Sequence, residues 1–230
     1  MGRKTSWIAF RTAPEVALAK LRLKGTGNFT ELPEAPLTAV TLDTGWFVVV
    51  ASADLRFVEP KLLEDLSFDC ELIGAAIDED GHVSQAQAWR RGEQRWKVIH
   101  DGTAKFGHLQ LDGAPPGEVH ALYQEARAKR RPGVDFVFEV PVLLVEAVMG
   151  FGFGGDQKFE ALEPGLPPWR VFRHADGRVW SIRPGGPGYQ LRIGAEDDDP
   201  VLKERSSDQP LREIEKLVAE QLADGFQAAS

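Results

Sequence analysis

The spacing of hydrophobic and polar positions along this chain changes period several times, and each change predicts an element. Trp7-Ile8-Ala9-Phe10 is a short apolar run without alternation and reads as a strand. Thr12-Ala13-Pro14-Glu15 follows with a capping hydroxyl at Thr12, proline in the first turn and a carboxylate three residues after the cap, which predicts a helix. Val16, Ala17, Leu18 and Leu21 supply its buried stripe. Residues 37–42 and 46–51 flank Asp43-Thr44-Gly45 as a hairpin. Glu59-Pro60 opens a second helix carrying Leu62, Leu63 and Leu66, and residues 70–77 return to strand. The resulting order, βαββαβ, is that of the ferredoxin-like split βαβ pattern, so the fold class expected for residues 1 to about 100 is α+β, with helices on one face of an antiparallel sheet.

Turns at Asp78-Glu79-Asp80-Gly81 and Arg91-Gly92-Glu93 extend the sheet as a meander whose strands carry Val83, Trp89, Trp96 and Val98. A helix begins near Gly117, with Val119, Leu122, Tyr123 and Ala126 on one face, and ends in Arg127, Lys129, Arg130 and Arg131 before Pro132-Gly133. Residues 136–140 read as a strand, and Pro141 opens a short apolar helix through Val148. Gly150-Phe151-Gly152-Phe153-Gly154-Gly155 breaks the pattern, placing a boundary between an α+β domain at 1–155 and a second domain at 156–230. The second domain alternates short strands at 159–162, 169–174, 179–183, 189–193 and 201–205 with turns at Asp176-Gly177 and in Pro184-Gly185-Gly186-Pro187-Gly188. A last helix follows Ser207-Asp208-Gln209-Pro210, with Leu211, Ile214, Leu217, Val218 and Leu222 on one face, Gly225 at its stop and Phe226 packing back.

This second part resembles a WGR domain, the small sheet-plus-helix module of poly-ADP-ribose polymerases and of many bacterial proteins. Phe159-Glu160-Ala161-Leu162-Glu163 is similar to the family's opening strand, and Trp169-Arg170-Val171-Phe172 to the aromatic strand after it. Tyr189-Gln190-Leu191-Arg192-Ile193-Gly194 falls at the Trp-Gly-Arg signature, with Gln190 and Leu191 in place of Trp and Gly and Arg192 retained. The stretch from Lys203 to Ser207, and the helix from Glu215 to Leu222 closing on Gly225-Phe226, match the family's last strand and helix. The resemblance implies a recognition module whose signature Trp and Arg contact nucleic acid and neighbouring domains. The exchange at position 190 removes the stacking indole, so a protein partner is expected ahead of nucleic acid.

Composition narrows the function classes. With 230 residues, 43% hydrophobic and 27% charged, the chain has a globular composition of one to two domains. Its net charge of -8 excludes a surface built throughout for phosphate backbones. A single cysteine, Cys70, excludes an intramolecular disulfide, a cysteine-based zinc site and a redox pair, which suits a reducing cytosol. No apolar run approaches 18 residues and no apolar stretch follows Met-Gly-Arg-Lys-Thr-Ser, so a cytoplasmic protein without membrane contact is expected.

No catalytic spacing is present: Gly-x-Ser-x-Gly, His-Glu-x-x-His and the phosphate-binding Gly-rich loop are missing. His100, His108 and His120 form no i, i+4 pair with a carboxylate, and the twelfth position counted from Asp78 is Trp89 where a calcium loop needs Glu, so neither metal nor cofactor is expected. Two clusters remain as binding candidates. One is the hairpin tip, with Arg90, Arg91 and Arg95 between two indoles; the other is Arg170, Arg173, Arg178, Arg183 and Arg192 interleaved with Trp180 and Tyr189 and preceded by Trp169. The expected function is a non-enzymatic binding protein carrying a WGR-like module. A nucleic-acid-binding protein using the arginines and an enzyme with a dispersed site in the first domain stay open as alternatives.

Overall fold

The structure is a computed structural model that describes residues 2–129, 131–153, 157–165, 169–185, 188–195, 200–207 and 210–229, without the side chains of residues 185, 210 and 211. Arg130, the Gly154-Gly155 boundary, Gly186-Pro187, the acidic run from Glu196 to Asp199, Asp208-Gln209 and the Leu211 side chain thus lie outside the described residues. The protein is mixed α and β, with two antiparallel sheets. Its chain divides into two compact units, 1–163 and 164–230.

The first unit runs β1 (Lys4–Phe10), α1 (Pro14–Leu21), β2 (Leu23–Thr30), β3 (Leu37–Thr41), β4 (Phe47–Ser52), α2 (Pro60–Leu66), β5 (Glu71–Asp78), β6 (Val83–Arg90), β7 (Glu93–Asp101), β8 (Gln110–Gly113), α3 (Glu118–Ala128), α4 (Val140–Met149) and β9 (Phe159–Pro164). Its nine strands lie in the order β2-β9-β3-β4-β1-β5-β6-β7-β8. Central strands β1, β4 and β5 are buried along nearly their whole length, which explains why they read as unbroken apolar runs. Trp7, Val48, Val50, Ile73 and Val98 face α3 and α4 on one side, against Val119, Leu144 and Val145. Ile8, Phe10, Val49 and Leu72 face α1 and α2 on the other, against Ala17, Leu63 and Leu66. The two helices expected within residues 1–100, α1 and α2, share one face, while α3 and α4, which follow that span, cover the other. At Gly74 the fold needs a missing side chain: a β-carbon there would collide with the Phe57 carbonyl oxygen of the 3₁₀ turn Arg56–Val58.

Three local expectations change. Ala13, not Thr12, precedes α1, and it makes no side-chain cap. Residues 136–140 are not a strand: Asp135 Oδ1 accepts from the Val137 amide at 3.0 Å and starts a 3₁₀ turn, Phe136–Glu139, that runs into α4. An apolar run of that length is equally compatible with buried helix, and the carboxylate cap decides it. Finally, β9 pairs with β3 through Thr38↔Ala161 and Ala39↔Glu160, so the strand assigned to the second domain belongs to the sheet of the first. The division falls at Glu163, not near Gly155.

The second unit contains β10 (Arg170–Arg173), β11 (Arg178–Gly185), β12 (Gly188–Ala195), β13 (Val201–Ser206), α5 (Pro210–Ala223) and β14 (Gln227–Ala228), with strand order β13-β12-β11-β10-β14. Phe172, Trp180, Ile182, Tyr189 and Leu191 point to one face and pack against Ile214 and Val218 of α5, with Phe226 after it.

Candidate binding face

Side chains alternate across a strand, so the residues between those core positions share the opposite face. On β10 these are Val171 and Arg173; on β11 Val179, Ser181 and Arg183; on β12 Gln190 and Arg192. The β12–β13 register adds Glu204 opposite Gln190 and Leu202 opposite Arg192. Arg170 pairs with Ile182, so Trp169, one residue earlier, arrives beside Arg183.

Trp169 forms the centre of this face. The Arg183 guanidinium carbon is 4.3 Å from its ring centroid and that of Arg192 is 4.2 Å away. Arg183 Nε donates to Gln190 Oε1 at 2.9 Å, and Gln190 Nε2 donates to Glu204 Oε1 at 2.5 Å. Gln190 thus orients an arginine toward an indole. Burial and the neighbouring Arg192 charge both lower the Arg183 pKa. Among the described residues no carboxylate pairs with Arg183 or Arg192. Two crowded guanidiniums with no carboxylate paired to either among the described residues make this face suited to carboxylates or other anions, which Arg binds in a bidentate fork.

The other predicted residues are dispersed. Arg170 Nη1 reaches Glu215 Oε1 of α5 at 2.5 Å. Arg178 holds Asp176 at 2.8 Å and lies 5.3 Å from the Phe226 ring centroid. Arg173 shares the Trp169 face by alternation and is exposed. Trp180 and Tyr189 do not belong to the face, because their rings, 5% and 8% exposed, fill the core against α5. At the hairpin tip of the first unit, Trp89 and Trp96 are buried in opposite cores, with Trp89 Nε1 donating to Gln87 Oε1 at 3.1 Å. Arg90, Arg91 and Arg95 are exposed without indoles beside them; Arg91 donates its amide to Ser67 O, and Arg95 lies 3.3 Å from Glu93.

Reasoning from sequence undervalued Trp169 and missed Gln190 and Glu204. The signal that could have found them is strand register, which one sequence does not specify without the pairing partner. Among the described residues no three His, Cys, Asp or Glu come together as a metal site, and no helix is long and apolar enough to cross a membrane. His100 Nδ1 instead bonds the His108 carbonyl oxygen at 2.7 Å. Burial raises the Cys70 pKa and favours the thiol over the nucleophilic thiolate. Set against models of known protein families, curated proteins and solved structures, the chain matches none of them.

Proposed function

We propose that this chain is a binding protein whose second unit is a WGR-like recognition module, engaging an acidic segment of a partner protein through Arg183, Arg192 and Trp169. The observation that carries this reading is the pair of guanidiniums stacked on one indole, neither paired with a carboxylate among the described residues. Arg and Trp are the side chains that most often dominate protein interfaces. A sheet closed by one helix supports the WGR-like assignment, and strand order β3-β4-β1-β5 with α1 and α2 on one face supports the split βαβ reading of the first unit.

Nucleic acid is the second reading, favoured by the indole that Trp169 supplies beside Arg192. Three things weigh against it: Trp169 already carries two guanidinium contacts, Glu204 closes the network, and the chain's net charge is -8.

The test is capture by the full chain from its native cell extract, with and without nuclease, in wild type and in Arg192→Glu. A nuclease-resistant protein partner that Arg192→Glu loses, and that salt weakens, is the expected outcome. Recovery that nuclease abolishes would replace this reading with the second one, and retention by Arg192→Glu would remove both.

A further inference from the structure

A cavity of about 400 Å³ opens in the first unit between the loop after β7, the last turn of α3 and the 3₁₀ turn before α4. That volume lies within the range of small-molecule sites. Its wall is unusual for an acidic chain, because Lys105, Arg127 and Lys129 all line it. Among the described lining residues the only carboxylate is Asp135, and both its oxygens are already used: Oδ1 accepts from the Val137 amide and Oδ2 from the Gly107 amide. Lys129 Nζ is paired with Glu125 Oε1 at 3.1 Å, and the carbonyl end of α3 adds partial negative charge, equivalent to about half an elementary charge, so against Glu125, Asp135 and the helix end the three cations keep a small positive surplus.

A second, independent observation is His108 in the same wall. Its Nδ1 is buried and has no hydrogen-bond partner among the described residues, a cost that a bound acceptor or donor relieves. The cavity also offers flat apolar surface. Lys129 Nζ lies 5.9 Å from the Phe136 ring centroid and the Arg127 guanidinium carbon 5.7 Å from that of Tyr123, so cationic groups and ring faces are held side by side.

We propose that this cavity binds a small organic anion, its phosphate or carboxylate group met by Lys105, Arg127 and Lys129 and its body resting on the Phe136 and Tyr123 rings. The site is in the first unit and does not depend on the recognition face of the second.

Calorimetric titration of the full chain with phenyl phosphate and with benzoate, at low and at physiological salt, tests it. These probes share a ring and differ in their anion, so the tighter one assigns the class. Saturable binding of either, weakened at least about tenfold in the double variant Lys105→Ala, Lys129→Ala and retained in Lys105→Arg, Lys129→Arg, is the expected result. Benzylamine, with the same ring and the opposite charge, is expected not to bind. The proposal is overturned if neither anion binds saturably, if the double alanine variant binds as wild type does, or if benzylamine binds equally well. Replacing Lys203, which lies on β13, serves as the control for nonspecific loss of charge and is expected to change nothing.

Discussion

At the scale of single residues, the turn between β10 and β11 couples charge to stability. Burial would push the Asp176 carboxyl up, but hydrogen bonds from the Arg178 amide and guanidinium and from His174, with the Arg178 charge, outweigh it and hold the pKa at about 2 against an ordinary 3.8. The fold favours the charged form. Its contribution is therefore complete above pH 3.8, shrinks as pH falls, and is gone below about 2. Asp176→Asn is expected to melt below wild type at pH 7, with the two midpoints converging near pH 2; equal midpoints at pH 7 would show that the turn adds nothing. The hairpin itself was legible, since Asp176-Gly177 is a turn signal and Gly177 adopts φ +88°. The contribution of Trp169 was not, because its partners Arg183 and Arg192 are 14 and 23 positions away and meet it only once three strands are aligned.

At the scale of elements, most strands and the helices α1 to α5 follow from periodicity, while the layering of the first unit does not. Trp7, Ile8, Ala9 and Phe10 are each fully buried, alternating between two cores, so the run tells that the strand is central without telling which helix covers which side. Leu144 of α4 and Leu63 of α2 are both wholly inaccessible and belong to opposite cores. Leu144→Ala and Leu63→Ala are each expected to cost about 2–5 kcal/mol in urea unfolding. If only one of the pair destabilises, the sheet has a single covered face. Strand β2 gave no sequence signal: Lys24, Gly25, Gly27 and Asn28 are poor strand formers, and pairing with β9 carries them, helped by Thr26 Oγ1 donating to the Ala161 carbonyl oxygen at 2.9 Å.

For the whole molecule, charge sets the terms of recognition. A net -8 repels polyanions over distances up to a Debye length, about 8 Å at physiological salt, so the Trp169 face acts only at close range. Fluorescence anisotropy with short duplex and single-stranded oligonucleotides is expected to give no binding tighter than about 10 µM near physiological salt. Sub-micromolar binding that Arg192→Glu abolishes would make nucleic acid the ligand. Composition gave this acidic frame at once and the sequence showed the five arginines of the second unit, but which of them share a face with Trp169 is a property of register.

The insertion of β9 between β2 and β3 also has a consequence in time. A ribosome releases β3 long before it makes residue 159, and at about 5–20 residues per second the outer edge of β3 waits on the order of ten seconds for its neighbour. During that interval the nascent sheet can close only from β3 toward β8, with β2 unattached and an apolar edge open to other chains. Hydrogen exchange on a chain ended after Gln157 is expected to show fast amides along β2 and slow ones in β1 and β5; a protected β2 in that shorter chain would mean that β9 is not its anchor. The last strand of the first unit is thus the step that completes it, and a premature stop before it leaves a species with a ready template for mispairing.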